Sequence, residues 1–474
     1  MARYAYERLS AESASFLSLE SSSWFAHSAT TLIFDAGPLG RPDGGVDFEA
    51  IRRGIDSRLH LTPRFRQKLK WVPIERHPVW EDDHDFNLDY HLRHTSLPRP
   101  GGMDQLLKMS ARIKAQRLDR SRPLWECWVL EGLEGNRFAV ILKTHHAMVD
   151  PASGEELLQV LLSPEADAPD PEAPPYRPRP VPSEFELVMD EIVRQFRLPR
   201  QALARLRSFA GETESLRHEI EMRARALARM LGYTIRPPLE TPLNGRVGPH
   251  RRFAHMVVPL EDAVRIHREL GGTVNDVILA TVAGAVRSFL QERLVNPATL
   301  DFRVGAPVTL PSDGTRDQVD EWILELPVWE PDPLQRLAKV HEATRALNES
   351  SPALGARTLF SVAKWTGSRW LALGARAVSS RLPVNMTVVN VPGPQVPLYF
   401  LGARLLETYG QAPLRDNTAL GVTVFSYDGK LCWGLNADFD LMPDLDRFNA
   451  ALGHSFRDLL QAARQHDPQL VLVS

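Results

Sequence analysis

Apolar positions along the chain fall into two kinds of run. Some are short and continuously apolar or alternating, and others repeat with the period of a helix, so the sequence reads as mixed α and β from end to end. In the first third, Leu9–Leu17 predicts a helix with Ser10 as its N-cap, and Thr30–Phe34 predicts a short strand. Phe48–Arg58 and Met103–Gln116 have helical spacing. Leu124–Leu130 and the apolar run from Phe138 read as a hairpin joined through Glu131–Asn136. In the second half, Val257–Leu260 is strand-like and Glu261–Leu270 helical. Gly271-Gly272 then closes that helix, and Thr273-Val-Asn275-Asp276 opens a strongly apolar one, Val277–Leu290. Strands are expected at Phe302–Leu310, Trp322–Val328 and Val384–Val391, with a hairpin of Leu420–Tyr427 and Lys430–Asp438 about Asp428-Gly429. A last helix spans Pro443–Ala463.

The run from Phe138 ends in His145-His146, followed by Ala-Met-Val and then Asp150-Pro151. Side chains alternate across a strand, so the two imidazoles are expected on opposite faces and only one enters a given cleft. Asp150 suits an N-cap, with Pro151 at the first helical position. A neutral imidazole can take a hydroxyl proton and return it, which makes a general base one reading of the pair. Hydrogen-bonded core histidines are the other. A metal site lacks support, because no cysteine cluster or second histidine pair stands at ligand spacing. Trp80–His91 is rich in acids and histidines, but its irregular spacing reads as a solvated loop feeding a strand.

Composition shifts abruptly at residues 164–183, where prolines, alanines and acids form an exposed linker. It separates residues 1–163 from a helical tract at 184–235 and a third segment, 236–474. The tract carries Arg205, Arg207, Arg217, Arg223, Arg225 and Arg229. It suits an anionic membrane surface or a crossover packed between lobes, and the crossover is the favoured reading. With 474 residues and 43% hydrophobic content, there is material for two cores. A net charge of −3 gives no global pull toward nucleic acid. Cys127 and Cys432 lie far apart in apolar strands, which fits a reducing compartment. The first residues lack a signal-peptide core, and no apolar run approaches the length of a membrane span. The reading is a soluble protein, or at most a peripheral one.

Nine landmarks stand in a fixed order: Leu9-Ser10 with Phe16-Leu17 and Glu20; Pro63-Arg-Phe-Arg66; Pro123-Leu124-Trp125-Glu126; His145-His146; Pro242-Leu-Asn244 with Arg251-Arg252; Asn275-Asp276; Pro307-Val308; Asn390-Val-Pro-Gly-Pro394; and Ser426-Tyr-Asp-Gly429. In these the chain resembles the bacterial wax ester synthase/diacylglycerol acyltransferases, within the CoA-dependent acyltransferases that carry a His-His-x-x-x-Asp-Gly signature. The resemblance implies two chloramphenicol-acetyltransferase-like α/β lobes with a channel between them. It implies transfer of a long-chain acyl group from acyl-CoA, as cosubstrate, to a fatty alcohol or diacylglycerol hydroxyl, with no metal or redox cofactor. His146 would be the general base acting without an acyl-enzyme. His145 would support it from the other face, and Asp150 would fix local geometry. Pro123, Leu124, Trp125, Asn275, Asp276 and Asn390 become candidates for lining the substrate site. Their ordinary readings are core for Trp125, helix N-cap for Asn275-Asp276 and strand-ending turn for Asn390. Contact with a membrane or lipid bodies would follow from such substrates. Pro151 departs from the signature's glycine: proline suits the first position of a helix but cannot supply a positive φ. A member that binds acyl-CoA without turnover, and an enzyme using an amine or polyketide-type hydroxyl, are the rival readings.

Overall fold

A computed structural model of the chain describes residues 5–21, 23–42, 45–148, 157–194, 240–310, 318–350 and 384–466. The strands are β1 (Glu7–Arg8), β2 (His27–Asp35), β3 (Gln67–Trp71), β4 (Pro78–Asp82), β5 (Leu92–Ser96), β6 (Trp125–Leu133), β7 (Arg137–His145), β8 (Arg251–Pro259), β9 (Phe302–Leu310), β10 (Gln318–Leu326), β11 (Met386–Pro392), β12 (Tyr399–Phe400), β13 (Ala403–Gln411), β14 (Leu420–Tyr427) and β15 (Lys430–Asp438). The helices are α1 (Ala11–Leu19), α2 (Phe48–Asp56), α3 (Met103–Ala115), α4 (Leu157–Leu161), α5 (Leu260–Leu270), α6 (Val274–Glu292), α7 (Pro333–Ser350) and α8 (Leu445–His466). They form a two-lobed mixed α/β architecture. One lobe carries a sheet ordered β12-β13-β2-β7-β6-β5, and the other a sheet ordered β10-β9-β11-β14-β15-β8. A small third sheet, β1-β4-β3, lies in the first lobe. Among the described residues no single helix is long and apolar enough to cross a membrane.

Local chemistry explains most element boundaries. Ser10 Oγ accepts the Ser13 amide at 3.0 Å, which caps α1. At the β14–β15 turn both Asp428 (φ 45°) and Gly429 (φ 75°) are left-handed, as a two-residue hairpin loop requires. The cap of α6 falls earlier than Asn275-Asp276. Thr273 Oγ1 accepts the Asp276 amide at 3.2 Å, and Asp276 Oδ2 accepts the Thr273 amide at 2.8 Å. This reciprocal box makes Asp276 the third helical residue rather than the cap.

One expectation is corrected. Trp80–Asp82 is part of a buried strand rather than a solvated loop. Its acids tolerate burial because each meets a cation: Glu81 pairs with Lys70 at 3.2 Å, and Asp82 with Arg179 at 2.8 Å. The neighbouring Asp83 pairs with Lys68 at 2.8 Å. Arg179 belongs to the proline-rich linker, which is largely exposed, as expected, and is held along the first lobe by such contacts. Tyr176 Oη donates to the carbonyls of Arg66 and Asp83 at 3.2 and 3.0 Å. Its ring also receives the Arg66 guanidinium 4.8 Å from the centroid.

The lobes are joined by a strand exchange and by a shared core. β13, from the last fifth of the chain, pairs with β2 in the first lobe's sheet. Beneath it one apolar cluster draws Ala29, Ile33 and Leu106 from the first half together with Phe253, Tyr409 and Cys432 from the second. Three polar side chains there bond to one another: Ser110 Oγ meets Thr31 Oγ1 at 2.7 Å and receives Gln411 Nε2 at 2.5 Å. The two sheets approach so closely at Gly410 and Gly434 that a Cβ on Gly434 would lie 2.3 Å from the Gly410 carbonyl oxygen. Gly434→Ala is expected to cost about 1–3 kcal/mol by overpacking, read as a lower urea-unfolding midpoint. An unchanged midpoint would mean that the sheets do not depend on this contact.

Candidate active site

The histidine pair stands where β7 ends. The His145 amide donates to the Leu124 carbonyl at 3.0 Å, and the His146 amide to the Ala26 carbonyl at 2.8 Å, so the turn is fixed from both neighbouring strands. His146 opens a short 3-10 turn, His146–Met148, and its side chain meets Ser28 on the face opposite His145. Its Nε2 lies 3.1 Å from Ser28 Oγ, and its ring stacks on Phe16 at 5.1 Å between centroids. The ring is half-buried, whereas His145 is buried. Dense packing and the nearby His145, Lys114 and Arg415 push the His146 imidazole down to about 3. It therefore stays neutral across the physiological range.

On the other face, His145 Nε2 donates to Glu20 Oε1 at 2.9 Å, while its Nδ1 accepts the Ala147 amide at the same distance. Both nitrogens are engaged, so the ring is locked. Glu20 also accepts the Ala26 amide at 3.0 Å and Arg120 Nη2 at 2.6 Å. Burial alone would raise its carboxyl, but the hydrogen bonds and charges of His145 and Arg120 hold it below its usual range. The register pairs His27 with His145 across β2 and β7. Burial first, then the charges of Lys143 and Lys114, push His27 well down. Burial also drives Lys114 well down, and Lys143 to about 8 although Glu126 opposes the shift.

Sequence spacing gave no hint that Glu20, His27 and His145 converge, with ligand atoms within 4.8 Å of one another. The donor set does not fit a metal. Glu20 is already neutralised by Arg120, both His145 nitrogens are hydrogen-bonded, and the buried lysines Lys114 and Lys143 bear on the cluster. The cluster instead acts as a support for the turn.

The other sequence candidates separate into two groups. Pro123, Leu124 and Trp125 are buried. Trp125 donates from Nε1 to the Phe65 carbonyl at 2.8 Å and stacks on His91, so it lies in the first lobe's core. In the second lobe, Asn390 Nδ2 donates to Asn275 Oδ1 at 3.3 Å, and both residues are half-buried. Asp276 is buried, held by Thr273, by Thr344 Oγ1 at 2.7 Å and by His341 Nδ1 at 2.9 Å. Asp150 and Pro151 lie outside the described residues, as does most of the arginine-rich tract. Sequence reasoning missed Ser28 and the clamp formed by Glu20 and Arg120. Glu20 stood within a family landmark, but nothing local marked Ser28.

Comparison with known proteins places this geometry. The wax ester synthase/diacylglycerol acyltransferase catalytic domain matches residues 9–278, and the C-terminal domain of that family matches residues 318–460. A Mycobacterium tuberculosis protein provisionally named a diacylglycerol O-acyltransferase is 32% identical over 97% of this chain and 91% of its own length. The O-acyltransferase WSD of Acinetobacter baylyi is 29% identical over 90% of this chain and 91% of its own. Among solved structures, the wax ester synthase/diacylglycerol acyltransferase of Marinobacter aquaeolei VT8 superposes with a TM-score of 0.65 at 24% identity, covering 96% of this chain and 99% of that one. The first condensation domain of the calcium-dependent antibiotic synthetase shares the fold, with a TM-score of 0.59 at 16% identity over 98% of each chain.

The buried histidines carry a consequence for stability. His27, His77, His91 and His146 are each held below the ordinary 6.5, with His77 at about 4. The unfolded chain protonates them near 6.5 and the folded chain does not, so unfolding takes up protons below that pH. Stability should decline as pH falls from about 6.5 toward about 4, before the carboxylates contribute, and the depressed lysines Lys114 and Lys143 act in the same direction at higher pH. Urea midpoints at pH 7.5, 6 and 5 test this. A constant midpoint over that range would refute it.

Proposed function

The chain belongs to the wax ester synthase/diacylglycerol acyltransferase family, and from that premise we propose that it transfers a long-chain acyl group from acyl-CoA to the hydroxyl of a fatty alcohol or diacylglycerol. It is an acyltransferase. In this reading His146 Nε2 takes the hydroxyl proton as the oxygen attacks the thioester carbonyl. The tetrahedral intermediate collapses with cleavage of the C–S bond, and the thiolate of CoA recovers the proton from His146. One proton and one acyl group move, so the step requires neither a metal nor a redox cofactor, and no acyl-enzyme forms.

The observation that carries this reading is the position of His146 Nε2. It is the nitrogen of a half-buried, neutral imidazole, 3.1 Å from a hydroxyl oxygen. An alcohol oxygen at that spot would be within reach for proton transfer. The low basicity of the resting ring suits a group that must be unprotonated before substrate arrives. Charge developing on the reacting oxygens then offsets the desolvation that disfavours imidazolium. His145, clamped by Glu20, positions the turn from the opposite face, and Asp150 is assigned to the local geometry that follows it. Leu124 serves the site through its carbonyl, which holds the His145 amide, with Pro123 and Trp125 packed around it. Asn275 and Asn390 supply paired amides from the second lobe as a substrate contact, beside Asp276, whose side chain secures the start of α6 through Thr273. Such substrates partition into membranes and lipid bodies, so the protein is expected to meet them there as a peripheral visitor.

Purified protein given labelled palmitoyl-CoA with hexadecanol or a diacylglycerol should form the corresponding ester. His146→Ala should lower the rate by at least about 10²-fold. Full activity in that variant would remove His146 as the base, and an inactive wild type with both acceptors would remove the acceptor assignment. The wild-type kcat should show no loss attributable to His146 protonation between about pH 6 and 8. Glu20→Gln keeps the shape of the clamp but removes its charge, and should reduce kcat while leaving bound acyl-CoA detectable. An unchanged kcat would free the clamp of any catalytic consequence.

A further inference from the structure

Ser28 stands beside the proposed base with no part yet in the reaction. Among the described residues its Oγ has one hydrogen-bond partner, His146 Nε2, at 3.1 Å. The contact is built from the backbone. Ser28 pairs with Thr144 in the β2–β7 ladder, one step from the His27–His145 pair. The His146 amide is tied to the Ala26 carbonyl, two residues before Ser28 on the same strand edge. Phe16 covers one face of the imidazole. A hydroxyl reaching Nε2 must therefore arrive in the plane of the ring, where Ser28 sits. Ser28 and His146 are both half-buried.

An Nε2 that accepts a substrate proton must carry its lone pair, so the Ser28 hydroxyl is the donor in the resting contact. When an acceptor alcohol claims that lone pair, the Ser28 O–H loses its only partner in a poorly solvated place. Leaving it unpaired is costly, and rotation about one bond lets it find another oxygen. The oxygen nearest the attacking atom is the thioester carbonyl, which gains negative charge as the new C–O bond forms. We propose that Ser28 is a catalytic residue whose hydroxyl, displaced from His146 by the acceptor alcohol, donates to the thioester carbonyl oxygen and stabilises the tetrahedral oxyanion. The proposal rests on the acyl-transfer reading above and adds the donor that reading lacks. The hydroxyl starts close enough to come within about 3 Å of the oxyanion, the range in which such donors act. Arg415, whose charge bears on His146, acts in the same direction by favouring negative charge at the site.

The test uses the full-length protein with palmitoyl-CoA and either hexadecanol or a diacylglycerol, comparing wild type, Ser28→Ala, Ser28→Cys and Ser28→Thr. Ser28→Ala should lower kcat about 10²-fold with both acceptors, while KM for either substrate moves less than about threefold. Ser28→Cys, similar in size but a poor donor, should show the same loss. Ser28→Thr, which keeps the hydroxyl, should retain activity within about tenfold of wild type. Melting temperatures and intact-protein mass spectra accompany the kinetics. An active wild type with undiminished kcat in Ser28→Ala and Ser28→Cys overturns the inference and leaves the acyl-transfer reading standing. So does a loss confined to diacylglycerol, which would make Ser28 an acceptor contact. A palmitoyl group found on Ser28 would make it a nucleophile instead. A wild type that forms no ester with either acceptor removes the acyl-transfer reading and this inference with it.

Discussion

The site depends on one buried carboxylate. Glu20, just past the end of α1, accepts hydrogen bonds from His145, the Ala26 amide and Arg120. It thereby ties together a helix terminus, the start of β2, the end of β7 and the loop before β6. Burying an unpaired carboxylate costs several kcal/mol, so the four-way contact is stable only when every partner is in place. That all-or-none character is what makes it useful. His145 cannot tilt without breaking two hydrogen bonds, and His146 departs from a fixed point on the opposite side of the sheet. Rigid support of this kind is what proton transfer requires, since small displacements of a base cost rate steeply.

The surroundings set the protonation states. Lys114 reaches from α3 to the His27 carbonyl, beside His27 on β2 and Lys143 and His145 on β7. Burial holds Lys114, His27 and Lys143 below their ordinary values. The same environment keeps His146 neutral and makes negative charge welcome nearby. A direct acyl transfer has these needs in sequence: an unprotonated base at the start, then a stabilised oxyanion and thiolate.

The lobes are held in relation to one another by features that a rigid-body hinge would lack. β13 crosses into the first lobe's sheet, and the Gly410–Gly434 approach brings backbone against backbone where the sheets meet. A shared apolar cluster fills the space alongside. Together these make the junction a packed interface.

The sequence by itself determined the elements and the kinship. Caps, turn residues and apolar periodicity are local signals, and they placed the β14–β15 hairpin about Asp428-Gly429, the cap at Ser10 and the strand ending in two histidines. Local chemistry also set the limits of error: Thr273, rather than Asn275-Asp276, caps α6 because its hydroxyl reaches the amide three residues on. The ordered landmarks identified the family, since order along a chain survives when individual contacts cannot be seen. Tertiary structure alone decided the site's working neighbours. Ser28 meets His146 across 118 residues, Glu20 meets His145 across 125, and Arg179 meets Asp82 across 97. Each of these contacts depends on strand register or on the path of an irregular segment, and neither leaves a periodic trace in the residues themselves. Which hydroxyl stands beside His146 was therefore settled by the pairing of β2 with β7.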